Sequence, residues 1–444
     1  MNTMAEYQRP KNEAEFSKNF KQKKPLMNST QAFYESSRCL FCYDAPCINA
    51  CPTGIDIPLF IKQIHTGNTE GAAKTIYDSN WMGNSCGTIC PTGELCEGAC
   101  VYTHQDVPPL QIGRLQNFAT RSVIDADKHL YKPGKDNGRK VGIIGGGPAG
   151  LACACELRLL GYQVDVFEAK AMASGLTVHG IAPYKISNEE VMNEIAYLEN
   201  QMGYNIKYNT PISSKDQIIA LENEYDALFI GIGLGGTASI QMKGENIENV
   251  VGAVEFIEEL RLNHHNTFVG DRVIILGGGN TAMDAASESA RMGANVVTLA
   301  YRRSKKEMGG YTFEYESAVA SGVKGLFNSA PIEIIGNGKV EGVKFIKTES
   351  KSGKLTNIKG SEFTIPCDMV IKATGQEKMG SFLGLIDGLE LDEKTRIKVN
   401  LENNQTSNPK YFSGGDAING GAEVVNSAYD GKLAANGIHE WLNK

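Results

Sequence analysis

Cysteine spacing constrains this chain more than any other feature. Eight of its eleven cysteines fall within Cys39–Cys100. The first group reads Cys39-x2-Cys42-x4-Cys47-x3-Cys51-Pro52 and the second Cys86-x3-Cys90-Pro91-x4-Cys96-x3-Cys100. Short-spaced thiolates followed by Cys-Pro are the usual way a chain wraps cubane iron–sulfur clusters. Zinc is the competing reading, because Cys-x2-Cys is also a zinc spacing. The x4 and x3 gaps and the Cys-Pro pairs favour clusters. In two-cluster ferredoxin runs the fourth cysteine ligates the other cluster. By that rule Cys39, Cys42 and Cys47 serve one centre and Cys51 crosses to the second.

Composition narrows the setting. The chain has 444 residues, enough for about three domains. Hydrophobic residues make up 41% and charged residues 21%, ordinary for full-sized globular cores. A net charge of −7 argues against a nucleic-acid partner. The N-terminus MNTMAEYQRPKNEAEF is polar, and no apolar run approaches a membrane span. These features lead us to expect a cytoplasmic protein, where clustered cysteines serve metal or redox chemistry rather than disulfides.

The order of elements is then legible. Helices are expected at Ile57–His65, Glu70–Asp78 and Leu115–Asp125, between the cysteine loops. The polar stretch Asp127–Arg139, with Pro133, Gly134 and Gly138, reads as a linker. Lys140–Ile144 is an apolar strand followed by a glycine turn, a helix and a second strand, and the same grammar recurs at Arg272–Tyr301. A nucleotide fold that restarts inside another implies insertion. Leu228–Ile232, Met369–Thr374 and Tyr411–Ser413 are expected to be strands of the first fold. The predicted architecture is α/β: a helical iron–sulfur domain over 1–126, then two Rossmann-like domains. The first spans 139–262 and 366–444, and the second, 263–365, is inserted in it. This is the plan of flavin–nicotinamide oxidoreductases, an analogy of architecture.

Each nucleotide fold carries a fingerprint. In Gly145-x-Gly147-x-x-Gly150 the glycines permit a tight turn, close approach to a pyrophosphate, and packing of helix on strand. Glu168 ends the next strand, where an acid holds ribose hydroxyls. The second fingerprint is Gly277-x-Gly279-x-x-Ala282, whose helix opens with Asn280 and Thr281 to face the second nucleotide. Here Ala300 stands where the first fold has Glu168, and Arg302 and Arg303 follow. An acid would repel a 2′-phosphate and a guanidinium pairs with it, so NADP(H) is favoured over NAD(H). The bland alternative is two solvated surface arginines. Near the C-terminus Gly414-Gly415-Asp416 follows a strand and precedes a helix. Gly415 and Asp416 there suit a flavin's ribityl or pyrophosphate oxygens, which assigns FAD to the first fold.

The segments RCLFCYDAPCINACPTGIDIPLFI, SCGTICPTGELCEGACVYT and PPLQIGRLQNFAT resemble the N-terminal region of dihydropyrimidine dehydrogenase. The resemblance runs through both nucleotide folds to GGDAINGG, and covers about residues 30–440. It points to the separate flavin subunits of the bacterial enzymes, within the wider family of the glutamate synthase small subunit. That subunit type has a shorter CPxxCEGAC loop where this chain has CPTGELCEGAC. The resemblance implies one [4Fe-4S] cluster on Cys39, Cys42, Cys47 and Cys100, and another on Cys51, Cys90, Cys96 and Gln116, with Cys86 left over. It places Lys185, at a position that is commonly arginine, near the FAD. Nothing in the sequence resembles a (β/α)8 barrel, an FMN site or a pyrimidine pocket, and electron relay requires no general acid on this chain. The resemblance implies an FMN- and iron–sulfur-containing partner that reduces uracil or thymine, in a hetero-oligomer with this chain. Service to glutamate synthase, a stand-alone or bifurcating NAD(P)H–ferredoxin reductase, and a zinc-bound assembly module are the alternatives.

Overall fold

The computed structural model describes residues 7–351 and 354–444. The first six residues of the polar N-terminus, and two residues of the expected inserted domain, lie outside the described residues. Two compact units result: one holds the described residues up to Gln22 with 179–184 and 235–377, the other 23–178, 185–234 and 378–444. Among the described residues no helix is long and apolar enough to cross a membrane.

The larger unit begins after α1 (Glu13–Asn19) with short helices: α2 (Ser29–Ser37), α3 (Pro46–Asn49), α4 (Ile57–His65), α5 (Thr69–Ser79), α6 (Gly83–Ile89) and α7 (Ile112–Ile124). Helix α4 starts where Asp56 accepts the Leu59 amide at 3.1 Å and Pro58 occupies its first turn. Its apolar positions Ile57, Phe60, Ile61 and Ile64 are buried with Ile76 and Leu115 in one core. Cys39, Cys47, Cys51 and Cys96 pack against that same core. Phe60 is fully buried, so Phe60→Ala should cost about 3–5 kcal/mol.

The same unit contains a five-stranded parallel sheet of β1 (Lys140–Ile144), β2 (Gln163–Phe167), β3 (Asn205–Lys207), β4 (Ala227–Ile230) and the C-terminal strand Tyr411–Ser413. Its order is Tyr411–Ser413, β4, β1, β2, β3. Helix α8 (Pro148–Leu159) joins β1 to β2, and α9 (Leu176–His179) and α10 (Asn188–Met202) follow β2. The four residues of β4 are all buried, as expected for a central parallel strand.

The smaller unit is built on β5 (Val250–Gly252), β6 (Arg272–Leu276), β7 (Val296–Ala300), β8 (Lys324–Leu326) and the strand Met369–Lys372. An antiparallel sheet spanning Ser329–Pro366 completes it. Three expectations are corrected here. Met369–Lys372 belongs to this second sheet, pairing Met369 with Val273 and Val370 with Val250. The second unit therefore runs over 235–377 rather than 263–365, because β5 and the helix Ala253–Asn263 build its sheet and core. The segment before Gln22 also leaves the cysteine region. Phe16 and Phe20 stack at 4.3 Å and enter the core of the smaller unit, and the Asn19 amide donates to the Arg291 carbonyl at 2.7 Å.

Candidate metal and nucleotide sites

Cys39, Cys42, Cys47 and Cys100 line one cavity of about 390 Å³, partly open to solvent, whose walls include Pro46, Ile57 and Leu110. Burial, then the neighbouring Cys42 and Cys100, push the Cys39 thiol up; burial, then Cys39 and Cys100, push Cys47 up to about 11. Burial and neighbouring sulfurs thus disfavour the Cys39 and Cys47 thiolates unless positive charge lies among them. A [4Fe-4S] cluster supplies that charge and takes four thiolates, so this donor set fits it.

The second cysteine set surrounds the end of α6. Cys90 closes that helix, and its thiol is pushed up by a hydrogen bond with Cys86, then by burial and the Cys86 charge, against the Lys24 ammonium. Lys24 Nζ donates to the Cys90 carbonyl at 3.1 Å. Burial raises Cys96, with Glu97, Cys90 and Cys51 adding to it. The structure thus brings Cys96 within electrostatic reach of both Cys51 and Cys90. Gln116 is buried on α7 and its Nε2 donates to the Gly83 carbonyl at 2.7 Å, which fixes the amide. Cys86, left over by the family pattern, is buried one turn before Cys90. Among the described residues no three His, Cys, Asp or Glu side chains converge as they would on a single ion.

The first fingerprint has one structural role per glycine. Gly145 has φ +105°, and a Cβ there would meet the Gly231 carbonyl oxygen at 2.4 Å. A Cβ on Gly150 would meet the Gly145 carbonyl oxygen at 2.0 Å. Gly147, by contrast, would meet nothing nearer than the Gly231 oxygen at 3.8 Å. Its Cα side is therefore open. Glu168 is buried, accepting the Gly146 amide at 2.9 Å on one oxygen and the Lys170 amide at 2.8 Å on the other. Ser174 (φ +78°) and Gly175 (φ +50°) turn the chain back over the fingerprint, where the Ser174 amide donates to the Gly146 carbonyl at 2.6 Å. The hydroxyls of Ser174 and Thr177 are buried without a hydrogen-bond partner in the protein. Orphaned hydroxyls beside an open glycine loop fit a polar ligand such as the FAD pyrophosphate and ribityl chain.

The C-terminal pair Gly415 and Asp416 follows the strand Tyr411–Ser413. Gly415 (φ +71°) donates its amide to Asp430 at 2.9 Å, and a Cβ there would lie 3.3 Å from Ala149 Cβ at the start of α8. Asp416 accepts the Ala422 amide at 3.0 Å, and burial raises its carboxyl. Lys185 is half-buried just ahead of α10.

The second fingerprint repeats the geometry. Gly277 (φ +156°) would press a Cβ to 2.4 Å from the Ala373 carbonyl oxygen, while Gly279 faces open space. Ala282 is fully buried, Asn280 accepts the Tyr311 amide at 2.9 Å, and Thr281 is exposed. Ala300 ends β7, and the main chain after it is anchored: the Arg302 carbonyl accepts from Thr348 at 2.6 Å and the Arg303 carbonyl accepts from the Asn328 amide at 3.0 Å. The Arg302 side chain is exposed beyond the strand end.

Residues 139–431 match the family model of the pyridine nucleotide-disulphide oxidoreductases. The chain belongs to that family. Residues 16–128 match the model described as dihydropyrimidine dehydrogenase domain II, 4Fe-4S cluster. The chain is 35% identical over 434 residues to the glutamate synthase [NADPH] small chain of Escherichia coli K12, covering 93% of this chain and 92% of that one. It is 33% identical over 419 residues to the NAD-dependent dihydropyrimidine dehydrogenase subunit PreT of the same organism, covering 94% and 96%. Mycobacterium tuberculosis FprA in complex with NADPH shares the fold at a TM-score of 0.57 and 17% identity, over 69% of this chain and 85% of that one. The family members make the chain an NAD(P)H-linked flavoprotein oxidoreductase with a 4Fe-4S domain.

Sequence reasoning missed Ser174 and Thr177, although a Ser-Gly pair is a turn signal. It also passed over Glu190 and Glu194, which are buried.

Proposed function

We propose that this chain is the electron-input subunit of an NAD(P)H-dependent dihydropyrimidine dehydrogenase. Electrons from NAD(P)H pass through FAD and two [4Fe-4S] clusters to a partner subunit. The partner carries FMN and iron–sulfur centres and reduces uracil or thymine to 5,6-dihydropyrimidines. The supporting observation is the Cys90–Cys96 loop, CPTGELCEGAC, which resembles the dehydrogenase type rather than the shorter loop of the glutamate synthase type. It is an ordered turn: the Glu97 and Gly98 amides donate to the Thr92 carbonyl at 2.8 and 3.0 Å, and Glu97 accepts the Gly113 amide at 3.0 Å. That last bond ties the loop to α7 and Gln116.

FAD, when bound, would supply the chemistry that splits a hydride's electron pair into single electrons. The chain's own residues bind and orient. Gly145, Gly147, Gly150, Glu168, Lys185, Gly415 and Asp416 would hold FAD; Gly277, Gly279, Asn280, Thr281 and Ala282 would hold the nicotinamide dinucleotide. Arg302 and Arg303 favour NADP(H). Cys39, Cys42, Cys47 and Cys100 would hold one cluster, and Cys51, Cys90, Cys96 and Gln116 the other. No side chain need transfer a proton in this half-reaction. The cytoplasm, where thiols stay reduced, suits such sites. A protein partner is supported by the exposed Phe33, Tyr34, Leu40, Phe41 and Tyr43, on and beside the loop carrying Cys39 and Cys42.

A second reading, the small subunit of glutamate synthase, is favoured by the 35% identity to that chain. Anaerobic affinity capture of the tagged protein from its native cells separates them. An FMN subunit with uracil-dependent NAD(P)H oxidation supports the first reading. A large subunit with glutamine-dependent oxidation establishes the second, and ferredoxin reduction without a partner overturns both.

A further inference from the structure

We propose that Glu194 is a positioning residue for the second cluster: its buried carboxylate fixes helix α6, and its charge lowers the reduction potential of the centre that α6 and α7 hold. The inference rests on the cluster reading above and adds a residue outside the cysteine region to it.

Helix α6 cannot cap itself. Met82 at its N-cap has no side-chain acceptor for the first-turn amides. Glu194, on α10 and 1% exposed, supplies it. One oxygen accepts the Asn84 amide at 2.6 Å and the Tyr77 hydroxyl at 3.2 Å; the other accepts the Ser85 amide at 2.9 Å and the Ser85 hydroxyl at 2.6 Å. The helix so held ends at Cys90.

The lock extends to α7. Asn84 Oδ1 accepts from Asn117 at 2.8 Å and from Thr120 at 3.1 Å, while Gln116 donates to the Gly83 carbonyl at 2.7 Å. The two helices touch through backbone, since a Cβ on Gly113 would meet the Gly87 oxygen at 2.6 Å. Moving α6 would therefore move Cys90 and Gln116 together.

The four donors to Glu194 are neutral, and no Lys or Arg pairs with it among the described residues. The titratable groups around it are Tyr77 on α5, Glu190 and Tyr197 on its own helix, and Cys155 on α8, whose thiol Glu194 helps to raise. None is a cation. Burial pushes the Glu194 carboxyl up to about 7 against its hydrogen bonds, so at about pH 9 it is ionised. A buried negative charge that is hydrogen-bonded but has no cationic partner opposes the arrival of an electron nearby.

The test is a redox titration of holoprotein at about pH 9, followed by EPR, on wild type, Glu194→Gln and Ser85→Ala. Glu194→Gln removes the charge and should raise one cluster's midpoint, leaving the other and the flavin content unchanged. Ser85→Ala strips one donor from a carboxylate that stays charged, and should move the same midpoint down. That opposite sign separates charge from mere packing, and carries the test if Glu194→Gln does not fold. Two wild-type cluster signals left unmoved, or shifted alike, overturn the inference alone. Wild-type protein without cluster signals overturns the cluster reading and this inference with it.

Discussion

Gly147→Ala separates what the first fingerprint does for the fold from what it does for a ligand. The backbone there has φ −73° and ψ 177°, which alanine adopts freely, and its new Cβ would have only the Gly231 oxygen within 4 Å, at 3.8 Å. Gly147 is also the N-cap of α8, where alanine costs no more than about 1 kcal/mol. The fold should therefore barely notice the change. A pyrophosphate seated against that open side would notice it. One methyl forced into a filled contact costs about 1–3 kcal/mol, so FAD affinity should fall about 5- to 150-fold. Gly150→Ala is the contrasting control, because its Cβ would sit 2.0 Å from the Gly145 carbonyl oxygen and must displace α8. The assay has two arms: thermal melting of the flavin-free proteins, and FAD titration followed by fluorescence quenching. Gly147→Ala should melt like wild type and bind FAD weakly; Gly150→Ala should melt earlier. A Gly147→Ala protein that binds FAD like wild type, or is as destabilised as Gly150→Ala, refutes the reasoning.

Replacing Arg302 and Arg303 with Ala should raise the KM for NADPH by about tenfold or more, the size of a lost charge-assisted bond, with little change for NADH. Equal effects on the two nucleotides would sink the phosphate-clamp reading. Gln116→Cys should leave two clusters but shift one potential; an unchanged titration counts against ligation by Gln116. Cys39→Ser should remove one EPR cluster signal and spare the other, and loss of both would contradict separate ligand sets. Glu194 predicts a pH dependence. Its carboxyl is raised from 4.5 to about 7 by burial, so the folded state holds that proton more tightly. Its contribution to stability is full below the ordinary value and is lost as pH rises through about 7, on the order of 3 kcal/mol in all. Apoprotein melts from acid to neutral pH should show that decline in wild type and not in Glu194→Gln; parallel profiles would contradict it.

The local grammar of the chain was readable because it is local. Helix Ile57–His65 follows from its cap, its proline and its apolar period, and both glycine fingerprints sit at strand-to-helix turns as expected. What failed was non-local. Met369–Lys372 is a short apolar run with three buried residues, and nothing in such a run says which parallel sheet will take it. The helix Glu13–Asn19 precedes the cysteines in sequence, yet Phe16 is buried with Ile257 and Val273 in the other unit. Of the four thiols that line one cavity, Cys39, Cys42 and Cys47 are close in sequence and could be grouped by spacing, whereas Cys100 was named only by the resemblance. The carboxylate that caps α6 was not anticipated, because its partners lie 109 and 110 residues away.

The central claim is that electrons entering as NAD(P)H reach iron on this one chain. It is tested most directly by adding NADPH or NADH, anaerobically, to the purified holoprotein while recording visible and EPR spectra. The account predicts bleaching of a bound flavin followed by the signals of two reduced [4Fe-4S] clusters. A colourless protein, or a flavin that is reduced while no cluster signal appears at any potential, would contradict it.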